Sequence, residues 1–325
     1  MQLFELQRYE FLARISFFKP FFVLLQSKLY FYMNSTTHFS PSCGISEGAR
    51  LQDAATSRPL ILISNDDGFE ANGIRALVDM VKPFGDVLVC APDGPRSGYS
   101  CAFTAVDPLT MQLRQNRPDG VQVWSCSGTP VDCVKLAIDQ LCLDHQPDDH
   151  YSFPEFRRHR MPDLILGGIN HGDNSTVNNH YSGTMGVAME GCLKYIPSIA
   201  FSSCYYSHDA NLEPLRPYVQ LIVRRVLAEG LPKGICLNVN FPAREQFEGV
   251  RICRMTYGRW VNEVVRRHHP RGYDYYWMVG SYKNDEPCAE DTDQWALSHG
   301  FVAITPTHMD VTAYGFMDHL REWKL

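Results

Sequence analysis

Pro59-Leu-Ile-Leu-Ile-Ser-Asn-Asp-Asp-Gly68 is the stretch of sequence that decides the fold. Its first half is a short aliphatic run rich in β-branched residues, which is typical of a strand buried on both faces of a sheet. Its second half, Asn-Asp-Asp-Gly, is a polar turn sequence that ends the strand. Because strands buried on both faces belong to parallel sheets covered by helices, we expect helices and strands to alternate along the chain.

The sequence after this strand alternates in the expected way. Ile74, Leu77, Val78 and Val81 recur at helical spacing, and residues 86–91 form a second aliphatic run, which together indicate a βαβ unit with a right-handed crossover. Further strands are predicted at 121–125, 162–167, 198–202 and 301–305, and further helices at 131–141, 185–193 and after residue 305. We therefore predict an α/β fold with a doubly wound, mostly parallel sheet over roughly residues 58–245.

Two segments do not fit this alternation. Residues 251–283 are aromatic, charged and alternating, with glycines as punctuation, and we predict antiparallel hairpins that extend from the main sheet. Residues 144–160 fit no period, and we predict an exposed insertion. The folded domain is thus predicted over residues 58–325, with the hairpin extension at about 250–285.

The composition limits the classes of function. With 325 residues, 45% of them apolar, the chain is long enough for one large domain or a domain with an appendage. A formal net charge of −6 argues against a surface that neutralises a nucleic-acid duplex. The eleven cysteines contain no C-x-x-C pair, which indicates reduced thiols in a cytoplasmic protein rather than a disulfide frame or a zinc cage.

The first 57 residues differ from the rest of the chain. Aromatic and aliphatic clusters, such as residues 17–25, precede a polar stretch at 34–46. No uninterrupted apolar run reaches the length of about 20 residues that a membrane span needs, so no membrane partner is predicted. A degenerate signal or transit peptide and a surface-lying amphipathic anchor are alternatives to the favoured interpretation, a disordered extension with Met33 as a second candidate start.

Polar residues follow three predicted strands at their carboxyl ends. Asp66 and Asp67 leave the first strand, Ser97 lies a few residues beyond the second, and Asn170 lies just beyond the strand that ends at Gly167. In an open α/β sheet these ends meet in the ligand crevice. Adjacent carboxylates repel unless a cation or donors offset their charge, and an all-oxygen set suits Mg²⁺ or Mn²⁺, with Ca²⁺ as an alternative. Taken alone, Asn-Asp-Asp-Gly is equally well explained as a turn or a helix cap.

Two loops offer donors for a phosphate group. Residues 181–184 precede a predicted helix, where unpaired N–H groups and the helix dipole favour an anion. Residues 127–130 precede another, but Thr129 as N-cap with Pro130 at the first helical position is ordinary helix-start chemistry. The residues predicted to hold the phosphoryl group are Asn65, Gly98, Ser182, Gly183 and Thr184. Lone histidines, namely His171, His180 and His308, lack a partner pattern and are assigned surface or core roles.

The ordered set of motifs resembles the SurE family of 5′/3′-nucleotidases, also called survival proteins. The similarity covers roughly residues 58–323, and its seven motifs follow the family's order. They are Ile63-Ser-Asn-Asp-Asp-Gly68 with Asn72-Gly-Ile74, Ala91-Pro-Asp93 with Arg96-Ser-Gly98, Gly128-Thr-Pro130 with Asp132-Cys-Val134, Gly168-Ile-Asn170 with Gly172 and Asn174, Tyr181-Ser-Gly-Thr184 with Ala188, Glu190 and Gly191, Asn238-Val-Asn-Phe-Pro242, and Thr305-Pro306 with Asp310 and Thr312. One such motif is weak, whereas seven in order are specific.

The resemblance implies a Rossmann-like domain with a divalent cation held by Asp66, Asp67, Ser97 and Asn170. It also implies release of phosphate from nucleoside 5′- and 3′-monophosphates, and homodimers or homotetramers built by exchange of a swapped C-terminal segment. The chain departs from the usual pattern at Gly167, where serine is common, and at His171, where a small residue is frequent. Neither change removes a proposed ligand, but His171 could alter substrate preference or the proton path.

The predicted reaction is metal-assisted, in-line hydrolysis of a phosphomonoester, with Asp66, Asp67 and Asn65 as catalytic residues and Mg²⁺ or Mn²⁺ as cofactor. A nucleotide-dependent oxidoreductase or transferase is a rival on the same scaffold, but no G-x-G-x-x-G follows the first strand. A non-catalytic nucleotide sensor that keeps both loops stays open as the alternative.

Overall fold

A nine-stranded, mostly parallel sheet forms the centre of the structure, a computed structural model that describes residues 58–143 and 153–323. The strands of the described chain are β1 Leu60–Ser64, β2 Asp86–Pro92, β3 Met111–Asn116, β4 Gln122–Cys126, β5 Leu164–His171, β6 Ser198–Ser203, β7 Ile235–Phe241, β8 Val250–Ile252, β9 Gly258–Val261, β10 Val264–His268, β11 Asp274–Met278, β12 Ser281–Asn284 and β13 Val302–His308. The predicted extension over residues 1–57 lies outside the described residues.

The sheet has the order β3-β4-β2-β1-β5-β6-β7-β13-β8. The six strands from β4 to β7 are parallel. Antiparallel strands extend both sides, β3 beside β4 and β13 beside β7, and β8 then pairs in parallel with β13. This arrangement confirms the predicted doubly wound, mostly parallel α/β fold.

Helices cover both faces of the sheet. They are α1 Asn72–Val81, α2 Pro130–Ala137, α3 Gly183–Leu193, α4 Arg216–Glu229, α5 Asp293–Ser298 and α6 Tyr314–Arg321. Helices α1 and α4 pack on the face that receives Ile61 and Ile63, whereas α2 and α3 pack on the face that receives Leu60 and Leu62. Since alternate residues of a strand point to opposite faces, β1 is buried at every position, and its first four residues are aliphatic.

The C-terminal hairpins are present as predicted. β10 pairs with β11 and β12 pairs with β9, both antiparallel, and both pairs lie outside the main sheet. Trp260 of β9 donates from Nε1 to Oδ1 of Asn178 over 2.9 Å, which ties one hairpin to the loop before α3. No helix among the described residues is long and apolar enough to cross a membrane.

Several features differ from the sequence predictions. The polar edge strand β3 and the short helix α5 were not predicted, because neither has a clear apolar period. Strand β7 and helix α4 were not predicted individually, although both lie within the domain predicted over residues 58–245. The segment predicted as an exposed insertion is partly packed, since the rings of Phe153 and Phe156 contact Trp124 edge to face at centroid distances of 4.6 and 5.5 Å. Residues 144–152 of that segment lie outside the described residues.

Candidate functional site

The strand order reverses at β1, which creates a crevice at the carboxyl ends of β1 and β5. The chain builds β2 and β4 on one side of β1, then returns to build β5, β6 and β7 on the other. Ligands of doubly wound proteins bind at such a switch point. Asp66 and Asp67 follow β1, Ser97 follows β2 and Asn170 lies near the end of β5, so the topology brings all the predicted metal residues to one edge.

Asp66 is buried and is held by the first turn of α3 and by the loop after β2. Thr184 donates from Oγ1 to Oδ1 of Asp66 over 2.5 Å, and the N–H of Arg96 donates to the Asp66 carbonyl oxygen over 2.7 Å. Burial raises the pKa of the Asp66 carboxyl to about 6; the Thr184 hydrogen bond lowers it and the neighbouring charge of Asp67 raises it. Because burial makes ionisation of the Asp66 carboxyl unfavourable, a cation beside it would stabilise the charged carboxylate.

Asp67 carries an orphaned carboxylate oxygen. Its side-chain atom Oδ2 is buried and has no hydrogen-bond partner in the described part of the chain. Burial raises the pKa of Asp67, whereas the backbone N–H of His171 and the charge of His208 lower it. Leaving a buried acceptor unpaired costs about 1–3 kcal/mol, and more when the acceptor is charged, so such atoms in native proteins call for a bound water or ion.

Residues 182–184 pack against Asp66 instead of facing open solvent. Ser182 is the N-cap of α3 and accepts from the N–H of Met185 over 3.0 Å, while Thr184 is occupied by Asp66. A Cβ added at Gly183 would lie 2.7 Å from Cβ of Asp66, so only glycine allows this approach. The loop therefore holds the carboxylate in place, and its contact with phosphate stays a prediction.

Asn170 is aimed by an irregularity in β5. The register of β5 on β6 shifts between Gly167 and Asn170, and a bulge of this kind redirects the side chains that follow it. Asn170 donates from Nδ2 to the carbonyl oxygen of Gly172 over 2.7 Å. This hydrogen bond uses the amide nitrogen and not Oδ1, the atom that a hard cation takes.

The remaining predicted residues differ in their exposure. Ser97 and Gly98 lie in an exposed turn directly after Arg96, the residue bonded to the Asp66 carbonyl. Asn65 is fully buried; its Nδ2 donates to the carbonyl oxygen of Gly68 over 3.0 Å, and its Oδ1 accepts from the N–H of Gly68 over 3.1 Å. Asn65 thus shapes the loop that carries both aspartates, and its direct contact with substrate stays a prediction.

The loop at 127–130 forms the N-terminal cap of helix α2, which is the role that its sequence favoured. Thr129 accepts from the N–H of Asp132 over 3.1 Å, and Asp132 accepts from the N–H of Thr129 over 2.9 Å, which together form a capping box at the start of α2. Pro130 occupies the first helical position. These groups are therefore used in starting the helix.

Sequence reasoning missed His208, from the loop after β6. Its ring lies 5.1 Å, centroid to centroid, from the ring of His171, which it meets edge to face. Burial lowers the pKa of His171, the charge of His208 lowers it further, and the backbone of Ser207 with the charge of Asp209 opposes this. No periodicity or motif marks His208, since it is a loop residue far from Asp67 in the sequence.

The residues at the crevice fit a hard cation. Among residues 58–143 and 153–323, no group of three or more His, Cys, Asp and Glu side chains is placed to hold a metal ion. Two carboxylates, a hydroxyl and an amide oxygen instead match the donors that Mg²⁺ and Mn²⁺ prefer. The orphaned Oδ2 of Asp67 is the atom that such a cation would satisfy.

Comparisons with known proteins agree with this architecture. Residues 61–262 match the family described as survival protein SurE. The chain is 52% identical to the 5′-nucleotidase SurE of Phocaeicola vulgatus and 48% identical to that of Bacteroides fragilis, in each case over 82% of this chain and 98% of the relative. The crystal structure of the SurE protein from Aquifex aeolicus aligns with a TM-score of 0.64 and 34% identity, over 82% of this chain and all of that one.

Proposed function

The chain belongs to the SurE survival-protein family, and on this premise we propose that it is a divalent-cation-dependent 5′-nucleotidase. It hydrolyses nucleoside 5′-monophosphates, and also 3′-monophosphates, to nucleoside and phosphate in the cytoplasm. The relatives that carry the name 5′-nucleotidase support the reaction. The requirement for a cation is supported by one observation, namely the unpaired, buried Oδ2 of Asp67 next to the buried carboxyl of Asp66.

Asp66, Asp67, Ser97 and Asn170 would hold the cation, and their four oxygen donors suit Mg²⁺ or Mn²⁺. When bound, the cation supplies polarisation of the phosphoryl oxygens and activation of a water. Thr184 keeps the carboxylate of Asp66 in a single orientation through its 2.5 Å hydrogen bond.

The exposed turn at Ser97 and Gly98 leaves room for the phosphoryl group at the mouth of the crevice. Water attacks phosphorus in line with the ester oxygen, the P–O bond to the nucleoside breaks, and the released oxygen takes up a proton. Since this reaction needs little covalent chemistry from the protein, the contribution of these side chains is to position charge and exclude alternative geometries.

A phosphate-release assay tests this proposal on the full chain. We expect release from adenosine 5′-monophosphate and, more slowly, from the 3′-monophosphate with Mg²⁺ or Mn²⁺, and no release with EDTA, because the carboxylates alone repel the substrate phosphate. Release that persists unchanged in EDTA would rule out the cation. Tight nucleotide binding without any release would instead favour the non-catalytic sensor.

We also propose that copies of the chain exchange C-terminal segments. After β13 ends, helix α6 has no buried residue within the described part of the chain, and Phe316 and Trp323 are about half exposed. Val311, in the connection to α6, is 91% exposed. A helix that leaves its apolar side chains exposed on its own chain is explained if those side chains pack on a second copy.

Light scattering coupled to gel filtration tests the exchange. We expect the wild-type chain to run as a dimer or tetramer and Phe316→Asp to shift it to the monomer, because a charge on the buried face of the exchanged helix opposes association. Phe103→Asp is the matched control, since Phe103 is also exposed but lies far from α6 in the sequence. A monomeric wild type, or an unchanged mass for Phe316→Asp, would contradict the proposal.

A further inference from the structure

His171 has two buried polar atoms without a partner. Neither Nδ1 nor Nε2 of its imidazole makes a hydrogen bond of normal geometry to any described residue, and both atoms are shielded from solvent. The backbone of Ser207 lies close enough to the ring to favour its protonated form, but not in the geometry of a good hydrogen bond. A neutral imidazole carries one donor and one acceptor, and leaving either unpaired in a buried place costs about 1–3 kcal/mol. The orphaned nitrogens therefore indicate that something other than the described protein completes this site.

The loop after β6 covers the ring of His171. His208 of that loop packs edge to face on the imidazole, at 5.1 Å between centroids. Tyr206 anchors the same loop by donating from its hydroxyl to Oδ1 of Asp173 over 2.9 Å. The ring of Tyr206 also lies against Gly172, where an added Cβ would be only 2.9 Å away. The loop therefore offers the imidazole no hydrogen bond of normal geometry, and a bound water or ligand is left to supply one.

Asp67, next to His171 in the fold, carries a further buried atom without a partner among the described residues. The backbone N–H of His171 acts on the carboxyl of Asp67, so the two residues are neighbours. Oδ2 of Asp67 is buried and unpaired, like the two imidazole nitrogens. A bound cation alone would satisfy the carboxylate oxygen but not an imidazole N–H, whereas a water or phosphoryl oxygen beside that cation would also satisfy one of the two imidazole nitrogens.

We propose that His171 is a positioning residue of the cation site, which hydrogen-bonds a water or phosphoryl oxygen held in front of Asp67, with His208 fixing the orientation of its ring. This inference rests on the proposed function, because it assumes a cation at Asp66 and Asp67. It goes further by assigning His171 a polar contact at the site, beyond the four proposed cation ligands. Outer contacts of this kind change metal affinity or activity by about 10- to 100-fold when they are removed.

Binding of Mn²⁺ to the full chain, followed by the electron paramagnetic resonance of the free ion without substrate, tests the proposal. We expect His171→Leu, which keeps the volume but cannot hydrogen-bond, to weaken Mn²⁺ binding by about 10- to 100-fold. His171→Gln keeps a donor and an acceptor and should bind within about threefold of wild type. His208→Leu should weaken binding by a smaller factor, because it removes only the support of the ring. His180→Ala, an exposed histidine in the loop before α3, is the matched control and should bind as wild type does.

The outcomes separate this inference from the proposed function. If wild type binds no Mn²⁺, the cation site itself is wrong. If wild type binds Mn²⁺ and His171→Leu binds it equally well, only the role of His171 is wrong. If His171→Leu does not fold, the other two variants decide. The inference is overturned if His208→Leu binds Mn²⁺ as tightly as wild type and His171→Gln binds it weakly. Unfolding temperatures in EDTA should differ little between the leucine and glutamine variants, since a purely structural role would change stability rather than Mn²⁺ affinity.

Discussion

Asp66→Asn is expected to reduce cation-dependent phosphate release on the order of 10³-fold. Removing an outer hydrogen-bond partner of a metal site costs about 10- to 100-fold, and Asp66 is assigned to the cation directly, so its loss should exceed that range. Asparagine has nearly the same shape and still offers an oxygen to Thr184, whose hydroxyl donates to Oδ1 of Asp66. The loss of activity would therefore report the missing charge rather than a collapsed loop.

The same substitution should stabilise the cation-free protein at neutral pH. Burial raises the pKa of Asp66 to about 6, with the Thr184 hydrogen bond opposing the shift and Asp67 adding to it. Because the folded state holds this proton more tightly than the unfolded state, the stability that Asp66 contributes is full below about pH 4 and is lost as the pH rises to about 6. The loss amounts to about 3 kcal/mol, and asparagine, which does not ionise, avoids up to that amount.

Two measurements check the expectation for Asp66→Asn. Phosphate release is followed with Mg²⁺ or Mn²⁺, and thermal unfolding is followed in EDTA at pH 4 and at pH 7.5. The variant should unfold at a higher temperature than wild type at pH 7.5, and the difference should disappear at pH 4. Asp107→Asn, an exposed aspartate, is the matched control and should change neither property. Near-wild-type release by Asp66→Asn would contradict the assignment, and lower stability at pH 7.5 would contradict the raised pKa.

The parallel core was predictable because its sequence pattern has a direct physical cause. β1 is aliphatic from Leu60 to Ile63 because helices cover both of its faces, and the carboxyl ends of the parallel strands in such a sheet must meet at one edge. The positions of Asp66, Asp67 and Asn170 near strand ends followed from that rule. Edge strand β3 was not predicted, because it is mostly exposed and polar and therefore has no apolar period.

The detailed use of each polar side chain was less predictable than its position. The hydroxyls of Ser182 and Thr184 looked like free phosphate donors in sequence, but one caps α3 and the other bonds Asp66. Asn65 is likewise occupied by the backbone of Gly68. Such choices depend on contacts between loops that are distant in the chain, and no local pattern encodes them. The contact between the rings of His171 and His208 could not be predicted from the sequence for the same reason.

Gly168→Ala is expected to lower the free energy of unfolding by about 4 kcal/mol. Gly168 has φ of +113°, which a side chain adopts only at a cost of about 1–3 kcal/mol. An added Cβ would also lie 2.2 Å from the carbonyl oxygen of Phe201, a backbone atom of β6 that cannot turn aside. Overpacking against a rigid neighbour adds about 1–3 kcal/mol. Because Gly168 lies within the bulge that aims Asn170, the strain should also weaken cation binding.

Thermal unfolding in EDTA measures the first effect, and about 4 kcal/mol should lower the midpoint by about 8–16 °C. Gly120→Ala is the matched control, because Gly120 also has a positive φ, +84°, but a Cβ there meets no atom within 4 Å. The control isolates the conformational cost, about 1–2 kcal/mol, from the crowding against β6. Equal losses of stability for the two variants would show that crowding at Phe201 contributes nothing. The requirement for glycine at position 168 would then come from its positive φ alone, and not from the close packing of β5 on β6.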